Sequence, residues 1–192
     1  GAHLTSQWFA DNGFAVLVVD GRGVDGRGPA WDREVYRGFT VTLEDQVDGL
    51  HVAAERFGFL DLGRVGIRGW SFGGELAAMA LLRRPDVFHA GVVGAPVTEQ
   101  HLYDTFYTER FLGLPDQEPE AYRRSSPLFD AASLSRPMLL IHGLADDNVL
   151  FVTAGERNPQ WPAGAAVLAL PDAAGRVDLV ALMQALGARG IN

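Results

Sequence analysis

A glycine-rich hexapeptide, G-W-S-F-G-G at residues 69–74, constrains the fold of this chain more than any other stretch. A short run containing β-branched residues precedes it at 64–68, and strong helix formers follow at 75–82. Strand, tight turn and helix form the context in which G-x-S-x-G exposes its serine at the carboxyl end of a sheet strand. We expect strained backbone angles at Ser71, with Gly69 and Gly73 permitting close approach of strand and helix. The alternative is a glycine-rich turn with an incidental serine, which the flanking pattern disfavours.

The sequence on either side of this turn alternates between strand and helix patterns. Apolar runs predict buried strands at residues 14–19, 65–68, 90–94 and 137–142, and helical patterns fall at 4–10, 40–57 and 75–84. Such alternation is typical of an α/β fold with a mostly parallel, doubly wound sheet and right-handed crossovers. Because ligands bind beyond the carboxyl ends of such strands, we expect a site in the loops that follow them. The polar and aromatic composition of residues 98–136 predicts that this segment forms a helical cap or a pocket wall.

Composition excludes several classes of protein. The chain has 192 residues, enough for one domain with a core, and an apolar content of 47% excludes global disorder. A net charge of −8 argues against nucleic acid as a partner. No apolar run approaches the ~18 residues that span a bilayer, and residues 1–4 show no signal peptide, which leaves the localisation unassigned. The absence of cysteine excludes disulfides and thiolate metal sites, and we expect neither a metal nor a cofactor.

Two aspartates follow the last of the apolar runs. Asp146 and Asp147 stand in the loop G-L-A-D-D-N. A serine at a strand-to-helix turn and an acid after a later strand give the α/β-hydrolase order of Ser, Asp and His, in which the acid orients the histidine. Phe72 begins the helix, so its N–H is the expected donor to an oxyanion formed at Ser71. Alternatively, both aspartates cap a helix near residue 149; with the serine turn present, we favour catalysis by one of them.

Longer blocks of sequence narrow the identification. Besides the hexapeptide, they lie at residues 20–23, 44–46, 94–97, 103–115 and 142–149, and they include Y-D-T-F-Y-T-E-R and A-D-D-N. Together they resemble the prolyl oligopeptidase family, most of all its dipeptidyl peptidase IV branch, over residues 4–150. The resemblance implies an α/β-hydrolase fold and a serine peptidase that cleaves through an acyl-enzyme, after Pro or Ala near the N-terminus of a peptide. It also implies a peptide substrate as partner, and it allows a homodimer of a longer parent protein.

The resemblance assigns roles position by position. Ser71 matches the nucleophile, and Asp146 rather than Asp147 matches the triad acid. Asn148 matches a residue that contacts the bound peptide, whereas Gln100 departs from the tryptophan that is usual in this branch. Five further residues match the walls of the family's small apolar pocket for proline or alanine, and these are Phe72, Val97, Tyr103, Tyr107 and Val149. Without the resemblance, the two tyrosines also fit ordinary packing at i and i+4 of an amphipathic helix.

Several features of the family have no match in these residues. The histidines, His3, His51, His89, His101 and His142, all precede Asp146, whereas the family's base follows the acid. The tyrosine that gives the second oxyanion donor and the β-propeller with its paired glutamates have no match either. We therefore expect residues 1–192 to be a partial α/β-hydrolase catalytic domain, incomplete at both ends and inactive alone. Residues 152–176 match nothing in the family, so we expect an insertion there. We also expect a helix at residues 179–186.

Two other functions stay open on the sequence. A general α/β-hydrolase that acts on esters would share the triad, so only its substrates would distinguish it. The tyrosine block disfavours this alternative, because ester hydrolysis does not need it. A catalytically inactive hydrolase fold that serves as an interaction module is the second alternative, and any missing member of the triad favours it.

Overall fold

The computed structural model describes residues 2–150 and a strand at residues 166–170. In chain order the elements are α1 (Ala2–Asp11), α2 (Pro29–Asp32), α3 (Thr40–Arg56), β1 (Gly66–Trp70), α4 (Phe72–Arg83), β2 (Ala90–Gly94), α5 (Thr105–Leu112), α6 (Pro119–Ser125), β3 (Met138–Gly143) and β4 (Ala166–Leu170). Short 3-10 helices lie at Arg33–Val35, Gln100–Leu102 and Pro127–Ser133. The predictions for α1, α3, α4 and the first three strands agree closely with these bounds.

The strands form one parallel sheet in the order β1-β2-β3-β4. Trp70 lies beside Gly94, and Gly94 lies beside Ile141. The carboxyl ends of β1, β2 and β3 therefore lie at the same edge of the sheet. Parallel strands joined through helices confirm the α/β class and are consistent with the α/β-hydrolase fold. The loops after these three strands therefore converge at one edge of the sheet, where a ligand site was expected.

Helix α4 lies in the middle of the main core. Its run of alanines, with Met79 and Leu81, is fully buried against Val93 of β2 and Leu140 of β3. The small side chains let this helix approach the sheet closely, and a Cβ atom at Gly91 would come within 2.6 Å of Leu81 Cδ1. This packing fixes the start of α4, which directly follows Ser71, relative to the strand ends.

The strand predicted at residues 14–19 is not formed. No strand of the described residues pairs with this segment, and Phe14 and Val18 are 62% and 77% exposed. Its end is held by side chains instead, since Gln46 Nε2 donates to Val19 O at 3.1 Å. An apolar run becomes a buried strand only where neighbouring strands supply ladder hydrogen bonds and covering elements. The composition of this run carries no information about its neighbours, and no strand pairs with it in the described part of the chain.

The segment 152–176, for which the sequence predicts an insertion, contains one described strand. Ala166–Leu170 forms β4, which pairs in parallel with β3 and places Leu168 beside Ile141. Its sequence, A-V-L-A-L, consists mostly of strong helix formers, so its composition gave no strand signal. The rest of this segment and the helix expected at 179–186 lie outside the described residues.

The excursion at residues 98–136 contains α5, α6 and two of the 3-10 helices. It has a second apolar cluster of its own, in which Leu112 and Tyr122 pack with Val35 and Phe39 from the loop before α3. Phe72, Tyr107 and Phe111 pack against this cluster, so the excursion is joined to the start of α4. Within residues 2–150 and 166–170, every helix is too short or too polar to span a bilayer.

Candidate active site

The turn between β1 and α4 has the strained geometry that the sequence predicted. Ser71 adopts φ 55° and ψ −121°, a backbone conformation that residues other than glycine rarely occupy. A Cβ atom at Gly69 would overlap the carbonyl of Gly73, and one at Gly74 would overlap the carbonyl of Gly94. A Cβ atom at Gly73 would meet nothing within 4 Å. The second close approach is therefore at Gly74, and the prediction for Gly73 is wrong, because the helix meets β2 as well as β1.

Hydrogen bonds of the backbone hold Ser71 in this turn. Its N–H donates to Gly94 O at 2.9 Å, and its carbonyl accepts from the Glu75 N–H at 3.0 Å. Ser71 occupies the N-cap position of α4, yet its side chain caps none of the helix N–H groups. Since serine at this position usually satisfies such a donor, Ser71 Oγ is left for another partner. The Phe72 N–H belongs to the first turn of α4, whose donors have no acceptor within the helix.

Asp146 lies on the same edge of the sheet, in the loop after β3. Its Oδ1 accepts hydrogen bonds from the N–H groups of Asn148, at 3.1 Å, and Val149, at 2.9 Å, while Asp147 is exposed. No helix begins within residues 144–150, so the aspartates do not act as helix caps there. Strand β2 separates β1 from β3, which places the two loops about 10 Å apart. That separation leaves room for one imidazole between a serine and an acid.

Aromatic side chains form a wall beside these loops. The rings of Tyr103 and Tyr107 meet edge to face with centroids 5.4 Å apart, and the Tyr103 hydroxyl donates to Asn148 Oδ1 at 3.5 Å. The Tyr107 ring lies tilted against the Phe111 ring, with centroids 4.9 Å apart. Phe72 packs edge to face on Phe39 at 5.1 Å, within the same apolar cluster. The fold thus joins the tyrosine block to the asparagine after β3 and to the first residue of α4.

The remaining residues expected to line the pocket are buried. Val97, after β2, is 4% exposed, and Val149, after β3, is 2% exposed. The Val149 carbonyl accepts a hydrogen bond from His142 Nε2 at 2.7 Å. Burial raises the pKa of Tyr107 to about 12, with smaller contributions from the charge of Glu75 and from Tyr103. Tyr107 therefore stays a neutral hydrogen-bond donor at physiological pH.

The described histidines make other contacts. His142 is fully buried, and its Nε2 lies 3.6 Å from Asp146 Oδ2. His101 pairs with Glu99 Oε1 at 2.7 Å. His89 Nδ1 accepts from the Val65 N–H at 3.2 Å. Within the described residues, no histidine forms a hydrogen bond with Ser71, so these residues do not show the base that a Ser-His-Asp triad requires.

Glu75 is a residue of this site that the sequence analysis missed. It lies one helical turn after Ser71 and is 1% exposed, although it begins an otherwise apolar helical run. Burial raises the pKa of Glu75 well above its ordinary value, opposed by a side-chain hydrogen bond from Gln100 and by the charge of Arg83. The signal was present in the sequence, since a glutamate on the buried stripe of a core helix is unusual. The described residues hold no group of three or more side chains suited to a metal ion.

Comparison with known proteins agrees with this geometry. The profile of the prolyl oligopeptidase family matches residues 2–156. Human dipeptidyl peptidase 8 is 44% identical over 146 residues, which cover 74% of this chain and 16% of that protein. Human prolyl endopeptidase FAP is 38% identical over 148 residues, 75% of this chain and 19% of that protein. Venom dipeptidyl peptidase 4 of Apis mellifera is 39% identical over 155 residues, 73% of this chain and 20% of that protein.

This chain spans a fifth or less of the length of these relatives. The matched region contains β1, β2 and β3 with the residues that directly follow each of them, and therefore both Ser71 and Asp146. Three relatives named as peptidases and a family profile that covers most of the sequence agree on one assignment. The chain belongs to the prolyl oligopeptidase family.

Proposed function

We propose that this chain is part of the catalytic domain of a serine peptidase that cleaves after Pro or Ala near the N-terminus of a peptide. The observation that carries the proposal is the strained Ser71, whose side chain caps no N–H group although it occupies a helix N-cap. Asp146 stands on the same sheet edge, fixed by two backbone N–H groups. A nucleophile and an acid in this arrangement suit acyl transfer.

In the proposed reaction, Ser71 Oγ attacks the carbonyl carbon of the scissile bond and gives its proton to a histidine base. The tetrahedral oxyanion accepts a hydrogen bond from the Phe72 N–H at the start of α4. Collapse of this intermediate breaks the C–N bond, and the imidazolium gives its proton to the leaving amine. Water then attacks the acyl-enzyme by the same steps, which frees the acid product and restores Ser71. Asp146 orients the histidine and stabilises its charged form.

The base in this proposal lies outside residues 2–150, because no histidine of the described residues forms a hydrogen bond with Ser71. His101 is bonded to Glu99, and His142 is buried beside Asp146 on the acid's own side of the site. Without a base, serine is a weak nucleophile. We accordingly propose that residues 1–192 alone do not catalyse the reaction.

The aromatic wall supports a proline or alanine side chain as the group bound next to the scissile bond. Tyr103 and Tyr107 offer ring faces and edges to a flat pyrrolidine ring, and the two valines expected in the same pocket, Val97 and Val149, are apolar and buried. Asn148, whose Oδ1 lies 3.5 Å from the Tyr103 hydroxyl, would form a hydrogen bond with the peptide backbone. The names of the relatives, two dipeptidyl peptidases and a prolyl endopeptidase, agree with peptide cleavage but differ on the position of the bond.

The test compares the full-length gene product with its Ser71→Ala variant on Ala-Pro-nitroanilide and on nitrophenyl acetate. We expect kcat on the peptide to fall by about 10⁴ or more in the variant, with an unchanged melting temperature. Activity near that of the wild type would reject Ser71 as the nucleophile. A wild-type protein that hydrolyses only the acetate would instead support the esterase alternative. An unreactive wild type would favour the interaction module.

Labelling with a fluorophosphonate tests the second part of the proposal. Purified residues 1–192 should label at Ser71 far more slowly than the full-length gene product, since the probe needs an activated serine. Equal rates would show that a group within these residues supplies the base. His101, bonded to Glu99, would then be the first residue to substitute.

A further inference from the structure

A carboxyl group lies buried one turn after the candidate nucleophile. Glu75 is 1% exposed, and its Oε1 has no hydrogen-bond partner among the residues that the structure describes. Burial raises the pKa of Glu75 well above its ordinary value, so the fold favours the neutral acid. A neutral carboxyl group carries one O–H donor, which in turn requires an acceptor.

Gln100 offers that acceptor. It is also 1% exposed, and its Oε1 has no hydrogen-bond partner within residues 2–150 and 166–170. The rest of Gln100 is anchored, because its N–H donates to Ser126 Oγ at 2.9 Å and its Nε2 to Ser125 O at 3.4 Å. The Gln100 side chain lies close enough to the Glu75 carboxyl for its amide to lower the pKa of that carboxyl, against the larger effect of burial. The Gln100 Oε1 atom, which has no partner among the described residues, is the acceptor that a neutral Glu75 O–H would use in the same buried place.

This buried pair connects the serine turn to both tyrosines of the wall. The Glu75 N–H donates to Ser71 O at 3.0 Å, and the Gln100 carbonyl accepts from the Tyr103 N–H at 3.3 Å. Glu75 also lies close enough to Tyr107 for its charge to act on that hydroxyl. A shift in either member of the pair would thus be transmitted to the rings that line the site.

We propose that Glu75 and Gln100 are positioning residues that hold Tyr103 and Tyr107 in place and thereby set which residue the pocket accepts. The inference rests on the proposed peptidase function. Both side chains are closed off from solvent, so they act through the tyrosines and not on the reacting atoms. Besides Gln100, the charge of Arg83 on the same helix acts on Glu75, and Glu75 in turn acts on the Tyr107 hydroxyl. Arg83 is itself paired with Asp130 at 2.6 Å.

The physical basis is that a pocket wall must be held to within a fraction of an ångström. A displacement of about 1 Å can cost on the order of 10² in rate when it misplaces a bound group. A lost pocket contact affects substrates that fill the pocket and spares those that do not. A small ester such as nitrophenyl acetate is therefore an internal control for the integrity of the serine turn.

The experiment uses the full-length gene product and four variants. Glu75→Leu with Gln100→Leu replaces both polar partners by apolar groups, so neither side chain of the pair is left unpaired, and only Ser125 O loses a donor. Gln100→Leu alone leaves the carboxyl without its partner, and Glu75→Gln is the conservative change. Glu55→Gln, on an exposed position of α3, is the matched control. KM and kcat are measured for Ala-Pro- and Ala-Ala-nitroanilide and for nitrophenyl acetate, with melting temperatures recorded alongside.

We expect the double Leu variant to raise KM for Ala-Pro-nitroanilide at least tenfold and to change the Pro-to-Ala preference. Its acetate hydrolysis should stay within about twofold of the wild type. Glu75→Gln should retain most of the preference, and Glu55→Gln all of it. Equal losses on all three substrates, or no change in any, would overturn the inference. A wild type that cleaves neither nitroanilide would refute the proposed function itself, an outcome visible before any variant is compared.

Discussion

At the scale of single residues, backbone geometry is the most informative feature of the site. Ser71 has a positive φ at the end of β1, and Ala95 has one, at 38°, directly after β2. Non-glycine residues with φ in this range cost free energy, and they persist where surrounding contacts fix them. Ala95 is fixed because its N–H donates to Ile141 O at 2.8 Å. Both strained residues lie on the edge of the sheet where the candidate site is found.

The two glycines that open α4 give a matched test of this geometry. Gly74→Ala places a methyl group against the Gly94 carbonyl, so we expect a loss of about 1–3 kcal/mol in stability. Gly73→Ala meets no atom within 4 Å, and the lower backbone entropy of alanine should leave stability unchanged or raise it by about 0.5–1 kcal/mol. Urea unfolding of both variants measures the difference. The opposite ranking would contradict the contact between α4 and β2.

The two adjacent aspartates give a second matched pair. Asp146→Asn weakens two backbone hydrogen bonds and alters the group that would orient the histidine, so we expect kcat to fall by roughly 10⁴. Asp147 is exposed, and Asp147→Asn should cost far less. Steady-state kinetics of the two variants on Ala-Pro-nitroanilide decide the matter. A larger loss for Asp147→Asn would mean that the assigned acid is wrong by one residue.

At the scale of elements, α4 serves the sheet and the site at once. Its alanine-rich face packs on the strands, while its first turn holds Ser71, the Phe72 N–H and Glu75. The only charged side chain buried in this helix is Glu75, among the residues described. Stability of the helix in its native position therefore depends on the protonation of one carboxyl group.

This dependence has a definite sign. The pKa of Glu75 is raised in the folded state, so the folded protein binds the proton more tightly than the unfolded chain does. The associated stability is complete below the ordinary value of 4.5 and is lost as pH rises through the folded pKa. Glu75→Gln cannot ionise, so the variant should gain melting temperature relative to the wild type as pH is raised from 4 to 8. A constant difference across that range would show that Glu75 is charged in the fold.

At the scale of the whole molecule, the sequence predicted local elements well and long-range neighbours poorly. Periodic or apolar patterns predicted the helices at residues 40–57 and 75–84 and the strand at 90–94, and all three elements form. Residues 14–19 have the composition of a buried strand but find no strand partner in the described part of the chain. Residues 166–170 have the composition of a helix, yet β3 supplies a ladder partner and makes them a strand.

In the candidate site, too, the sequence predicted local features but not the long-range contacts. Ser71 was predicted from a short motif, whereas Asp146 and the tyrosine block were predicted from the resemblance of longer blocks of sequence to a known family. The close approach at Gly74 and the burial of Glu75 arise from contacts with β2 and with Gln100, which lie 20 or more residues away in the sequence. The local pattern marks Glu75 as an unusual residue on a core stripe, but it does not show which distant residues these positions contact.

The exposed apolar segment at residues 14–18 and the unpaired edge of β1, among the strands described, predict the behaviour of residues 1–192 when purified alone. Apolar surface beside an open strand edge promotes association. We expect concentration-dependent oligomers in light scattering, and Val18→Lys should reduce them because a charge on this segment opposes pairing. A monomeric wild-type polypeptide at high concentration would show that other parts of the chain cover this surface.

The order of the strands has a consequence for synthesis. Because β1, β2, β3 and β4 are neighbours in both sequence and space, the sheet can grow by one strand at a time as the chain leaves the ribosome. The turn at Ser71 cannot be completed by β1 and α4 alone, since its N–H bonds to Gly94 and Gly74 rests against the same residue. The nucleophile would therefore acquire its geometry only when β2 docks. Loop closure over so few residues costs little entropy, so this step should be early and fast.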